Sequence, residues 1–148
     1  MQIPFIPIID SVNLAFHEAG HIIFGVFGIE FLTALGGTLA QLLFPLSAFI
    51  YFHRKEQRLS SMITLVWFGE NFLNIGTYMK DALKLELPLA GGGLHDWTYM
   101  FGELGVITKC ETIGNTAYFA GFAIMLYALI NIGFSAYRKI RNRPIRDQ

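Results

Sequence analysis

The sequence predicts an all-α integral membrane protein with four transmembrane helices, a single membrane domain spanning 1–148. Three observations lead there. Hydrophobic residues make up 53% of the chain and the mean hydropathy is +0.46, high for a soluble domain of this length. Charged residues are only 15% and fall in clumps. Two stretches, 32–52 and 112–137, carry no charge at all and are long enough to cross a hydrocarbon core, which takes about 20 residues. The formal net charge is zero, so no electrostatic footprint for nucleic acid exists and none is expected as a partner. Cys110 is the only cysteine, which excludes an intramolecular disulfide and a cysteine-rich zinc site. The start of the chain has no basic n-region and no small-residue cleavage site, so insertion is expected to rely on helices of the mature protein.

Taken in order, residues 1–9 are apolar but broken by Pro4 and Pro7, and read as an extended or interfacial lead-in. Asp10 and Ser11 offer N-cap oxygens to a first helix over 11–29. Its only ionisable residues are His17, Glu18 and His21, and Gly20, Gly25 and Gly28 thin its surface for close packing in lipid. Residues 30 and 31 leave room for a tight connection into the second span, 32–52, where Gly36 and Gly37 offer a packing contact or a break and Pro45 predicts a kink. After a short polar loop, Ser60 or Ser61 caps a third span over 59–79. This span carries Glu70, Asn71 and Asn74 on one helical face, and a polar face at mid-membrane is expected to point inward.

The longest interruption, 80–111, contains Pro88, the triple glycine Gly91–Gly93 and then His95 and Asp96. It forms a loop on the outer side between the third and fourth helices that can be re-entrant, with 97–104 a short amphipathic helix or a re-entrant piece. The fourth span covers 112–137, with Ala117 and Gly121 as a small-xxx-small packing face, and the basic tail is expected to fray. Arg54, Lys55 and Arg58 lie between spans two and three; Arg138, Lys139, Arg141, Arg143 and Arg146 follow span four. Eight of the eleven Lys and Arg residues thus fall on one side, and the positive-inside rule places both termini in the cytoplasm.

Within the first helix, His17-Glu18-Ala19-Gly20-His21 reads H-E-x-x-H. Two histidines four residues apart project from one helical face and make half of a zinc site, and Glu18 is placed to act as general base toward a water held there. The plainer alternative is a pair of polar core histidines in a membrane bundle. Counted from Ser11, His17 and His21 lie about 9 and 15 Å along the helix, in the inner half to the middle of the hydrocarbon core. A Zn²⁺ there requires at least one more ligand. Asp96, beside His95 and after a flexible triple glycine, is one candidate, but its segment starts on the outer side and must dip by roughly half a bilayer. Glu70, with Asn71 and Asn74, is a second, and its own alternative is a hydrogen-bonded polar layer between helices. Asp81, at the outer end of span three, is the third, with an ordinary interfacial carboxylate as the alternative.

A four-span chain with H-E-x-x-H in its first hydrophobic helix resembles the site-2 protease family of intramembrane zinc metalloproteases, in its small bacterial branch. The resemblance covers roughly residues 11–100. Phe16 to His21 matches the first family motif fully; Gly37-Thr38-Leu39-Ala40-Gln41 matches the Gly-Pro-x-x-Asn-like motif in part, with Thr for Pro and Gln for Asn. Asn71 and Asn74 can stand for the asparagine of the third motif, and either Asp81 or Asp96 for its aspartate. The resemblance implies an aspartate as third zinc ligand, and we favour Asp96 over Asp81. It implies a zinc-dependent endopeptidase of a bacterial inner membrane, acting on a membrane-embedded or membrane-proximal peptide or membrane-protein substrate. Membrane lipid is the surrounding partner, and a homo-oligomer or an accessory partner fits so small a chain. Glu18 would be the catalytic base, and Asn71 or Asn74 would steady the oxyanion or the substrate backbone. Two other classes compete: a non-hydrolytic zinc-binding membrane protein with a closed site such as His17, His21, His95 and Asp96, and a channel lined by Glu70, Asn71 and Asn74.

Overall fold

The computed structural model describes residues 7–87 and 94–142. They form five helices: α1 (Pro7–Gly25), α2 (Glu30–Arg54), α3 (Arg58–Asp81), the short α4 (Asp96–Glu103) and α5 (Cys110–Arg141), the last entered through a 3₁₀ turn at Ile107–Lys109. No strand is present among the described residues. Two of the helices, α2 and the segment Ile107–Arg141, are long and apolar enough to cross a membrane by length and composition. The other two long helices, α1 and α3, carry buried ionisable residues, His17 on α1 and Glu70 and Asp81 on α3.

Several element boundaries differ from the sequence expectation. Helix α1 already covers Pro7 to Ile9, so Asp10 and Ser11 lie inside it and do not cap it. A proline in the first turn costs no hydrogen bond, because its missing N–H would have had no helical partner. The same helix stops at Gly25, four residues short of the expected end, and the chain reverses through a turn in which Gly28 takes φ +67°, a conformation glycine adopts without strain. Glu30 belongs to the first turn of α2, where its charge suits the helix N-terminus. Helix α3 starts at Arg58 without a side-chain cap; the Ser61 hydroxyl instead donates back to the Arg58 carbonyl. Pro45 stays within α2. The short helix expected at 97–104 is α4, one residue earlier. The calls on residues 1–6, on Pro88 and Gly91–Gly93, and on Arg143 and Arg146 lie outside the described residues.

Two helix pairs pack closely through glycine. α1 and α2 run antiparallel, and a Cβ built on Gly36 would lie 2.8 Å from the Gly20 carbonyl oxygen. α3 and α5 also run antiparallel. Gly76 faces Gly114 and Gly69 faces Gly121; a Cβ at Gly76 or Gly114 would come within 2.6 Å of the other's carbonyl oxygen. The two pairs are seven residues apart on each helix, so one seam of bare backbone serves both. The sequence reading put Gly121 on a packing face with Ala117; Gly114, three residues before Ala117, is the further glycine that shares this seam with Gly121. A compact apolar cluster ties the short helix in: Trp97, Met100 and Phe101 of α4 pack with Ala34 of α2, Ile75 of α3 and Cys110 of α5. α4 is thereby fixed against the bundle.

The distribution of polarity is inverted relative to a soluble domain. Asn13, Gln41, Glu70 and Asn71 are buried, while Val12, Ile22 and Ile23 of α1, Val26 in the turn after it, and Phe119, Phe122, Leu126, Ile130 and Phe134 of α5 are exposed.

Candidate metal centre

The site forms where α1, α2 and the start of α4 meet. His17 and His21 stand on consecutive turns of α1, with ring centroids 4.7 Å apart. Their Nδ1 atoms are engaged by α2. His21 Nδ1 lies 2.8 Å from the backbone carbonyl oxygen of Thr33, and His17 Nδ1 lies 3.2 Å from Gln41 Oε1. A carbonyl oxygen can only accept, so His21 carries its proton on Nδ1; with Gln41 in this orientation, His17 does too. Both Nε2 lone pairs are then bare. They face the same atom, Asp96 Oδ2, at 3.0 Å from His17 and 3.5 Å from His21.

Three acceptors therefore converge with no proton between them when the imidazoles are neutral. Such an arrangement needs a positive centre. The candidate ligand atoms of His17, His21 and Asp96 all lie within 4.8 Å of one another. Three ligands held about 2.0–2.1 Å from a tetrahedral zinc would stand about 3.3 Å apart, so the two measured separations bracket the requirement. The second residue of α2's glycine pair leaves the room: a Cβ at Gly37 would sit 2.7 Å from His21 Nε2 and 2.8 Å from His17 Nε2. The donor set of two imidazoles and one carboxylate suits zinc and leaves a fourth position without a ligand from the described residues.

Asp96 reaches the histidines because α3 holds the segment that carries it. The Tyr78 hydroxyl accepts from the Asp96 backbone N–H at 3.4 Å and donates to Asp96 Oδ2 at 3.5 Å. His95 is the N-cap of α4, its Nδ1 accepting from Thr98 N–H at 3.3 Å. Its proton is thus on Nε2, which faces Asp81 Oδ2 at 3.6 Å. Burial pushes the His95 imidazole below its usual range, and the charges of Asp81 and then Asp96 oppose that shift.

The other sequence candidates lie elsewhere. Asp81 is a loop anchor: its Oδ1 and Oδ2 accept from the backbone N–H groups of Glu86 and Leu87 at 3.0 and 3.1 Å. His95 faces Asp81 and stacks on Tyr78, and it does not join the histidine pair, so the closed set of four is not formed. Glu70 belongs to a separate polar network between α1 and α3. It accepts from Asn13 Nδ2 at 2.8 Å and from Asn74, whose amide also donates to Asp10 Oδ1 at 3.0 Å. Trp67 Nε1 donates to Asn13 Oδ1 in the same network. Asn71 is fully buried and donates to the Trp67 carbonyl. Asn13, Asp10 and Trp67, which Glu70, Asn71 and Asn74 bond besides one another, all lie outside the metal cluster. Glu18 is exposed, and it lies close enough to Tyr78 for its charge to bear on the phenol, which itself touches Asp96. Sequence reasoning missed Thr33 and Tyr78, and gave Gln41 and Gly37 only a place in a partial motif.

On α1, His17 stands one residue past the helix midpoint and His21 four residues from its end, so the centre lies in the C-terminal half of the helix, about 6–12 Å from the turn at 26–29. Asp96, which follows Asp81 in the chain, meets α1 in that same half.

No family model matches the chain, and no curated protein or solved structure matches it.

Proposed function

We propose that the protein is a zinc-dependent intramembrane endopeptidase, similar in kind to the site-2 proteases, with four spanning helices and both termini on the cytoplasmic side of a bacterial inner membrane. The observation that carries the reading is the convergence of His17 Nε2, His21 Nε2 and Asp96 Oδ2, drawn from an H-E-x-x-H helix and from a segment 79 residues away. Support for four spans comes from the outward apolar faces of α1 and α5 and the inward polar residues of α1 and α3, which suit a lipid surround. α1 and α3 carry ionisable residues between their apolar ones, His17, Glu18 and His21 on the first and Glu70 on the other, where the site and the polar network are built.

His17, His21 and Asp96 would hold the ion. Bound there, zinc supplies Lewis acidity, making water a stronger acid and a peptide carbonyl a better electrophile. Glu18, exposed beside the cluster, accepts a proton from the attacking water on a carboxylate oxygen and delivers it to the departing amine nitrogen. Gln41 and the Thr33 carbonyl keep both imidazoles in the tautomer that presents Nε2. The peptide to be cut has to be unwound locally, since a helix hides its carbonyls in its own hydrogen bonds. The substrate is accordingly a membrane-embedded or membrane-proximal segment.

Two measurements test this. Purified wild type should carry one zinc per chain, and His17→Ala/His21→Ala should carry none; equal metal content in both sinks the site. Glu18→Gln should keep the metal and lose cleavage of a transmembrane peptide reporter by at least 10²-fold. Retained cleavage would remove Glu18 from the role of base and favour the second class, a zinc-binding protein without hydrolytic activity.

A further inference from the structure

We infer that the last turn of α3 is a latch that seats the third metal ligand, with Tyr78 as its principal positioning residue and the Asp81–His95 pair as its second anchor. This rests on the metal reading above and assigns roles to residues outside the ligand set. Tyr78, Asp81 and Ala82 lie at i, i+3 and i+4, so they share one face at the end of α3. Each meets a different residue of the Asp96 segment. Tyr78 bonds both the backbone N–H and the Oδ2 of Asp96. Its ring stacks on His95 with centroids 4.0 Å apart, and Asp81 Oδ2 faces His95 Nε2 at 3.6 Å. The Ala82 carbonyl accepts from the Thr98 hydroxyl. Three successive contacts thus register residues 95, 96 and 98 against a single helical face.

The need for such a device follows from how the site is assembled. The two histidines are set by α1 and α2, which are neighbours in sequence and cross at glycines. Asp96 arrives separately, as the first residue of an eight-residue helix. An aspartate on a short helix is one rotamer or one small tilt from losing its target. Tyr78 restrains both possibilities, holding the backbone by one bond and the carboxylate by the other. The same hydroxyl touches the oxygen that faces both histidines, so its hydrogen bond also draws charge from the ligand atom. Asp81 acts at one remove: it fastens the loop through Glu86 and Leu87 and faces His95, the residue that starts α4. The two aspartates that compete in the sequence are therefore parts of one device, with Asp96 the ligand and Asp81 its anchor.

The test is zinc affinity of the full chain in detergent, read by competition with a chelator of known affinity. Tyr78→Phe keeps the ring on His95 and removes only the hydroxyl; it should bind zinc 10- to 100-fold more weakly, the usual effect of losing an outer-shell partner. Asp81→Asn should weaken binding in the same direction, and it serves as the second variant should Tyr78→Phe prove unstable. Glu70→Gln, in the separate network, should bind as wild type does. In an Asp96→Ala background Tyr78→Phe should cost nothing further, a coupling that general destabilisation would not produce. Wild-type affinity in Tyr78→Phe, or a full additive penalty on Asp96→Ala, overturns the latch while leaving the metal reading intact. A wild type that binds no zinc overturns both.

Discussion

A methyl group at position 37 would fill the space beside the Nε2 atoms of both His17 and His21. The ideal Cβ falls 2.7 and 2.8 Å from the two Nε2 atoms, well inside contact distance, and the atoms it meets are held from behind by Gln41 and the Thr33 carbonyl. The rings cannot retreat without giving up those bonds. Gly37→Ala should therefore lower zinc affinity at least tenfold while leaving the helical circular-dichroism spectrum unchanged; a variant that binds like wild type would show that the rings have freedom the geometry denies them. Asp96→Ala should lower affinity more than any other single carboxylate change, whereas Glu70→Gln should have no effect. That ranking, read by metal analysis, separates the three carboxylates. Part of this was legible beforehand. His17, Glu18 and His21 fall within five consecutive residues, and local spacing is what a sequence displays. The partner carboxylate is 79 residues away, a distance no periodicity encodes. Thr33 contributes a backbone atom, which every residue possesses and none advertises. Gln41 stood at a motif position with the wrong residue type, and its amide reaches the ring all the same.

At the scale of elements, the seam between α3 and α5 determines whether the latch is presented at all. Gly69 and Gly76 meet Gly121 and Gly114 backbone to backbone. A side chain on any of them pushes the helices apart against a well-packed contact, at about 1–3 kcal/mol for overpacking. Gly121→Ala should thus lower the melting temperature in detergent; since Gly121 is far along α5 from the α4 contacts, zinc affinity should change less than in Gly37→Ala. An unchanged melting temperature would mean that the helices slide to absorb the methyl. The heptad spacing of these glycines was present in the sequence, but the Ala117–Gly121 pair offered a more familiar four-residue pattern. Only the partner's own spacing of seven decides between them. Helix ends were least legible. Pro4 and Pro7 read as breakers, yet Pro7 sits in the first turn of α1, where a proline is tolerated.

For the whole molecule, the arrangement of apolar residues outside and polar residues inside makes lipid the natural exterior. Residues such as Ile22, Val26, Phe119 and Phe134 have no partner on their outward sides among the described residues, and their exposure is 75%, 84%, 66% and 62%. If all four long helices span, both termini share one face with the basic clusters around Arg54 and Arg138. A reporter active only in the cytoplasm should then work when fused to either end, and one active only outside should work when inserted near residue 94. Activity of the outside reporter at the C-terminus would leave an odd number of spans. Two of the long helices, α2 and α5, were visible as charge-free runs; α1 and α3 were harder to read because their apolar residues are interrupted by the polar and ionisable side chains of the interior.

The two bonds that orient the histidines differ in kind, and heredity would treat them differently. His21 leans on a main-chain oxygen, which survives any codon change at position 33 that preserves the helix and a small side chain. His17 leans on the amide of Gln41, which almost any codon change removes. Under selection for metal binding, position 33 should accept serine, alanine or valine freely, and position 41 should accept little beyond glutamine. One imidazole is thus insured against mutation by the backbone itself, and the other is exposed to it.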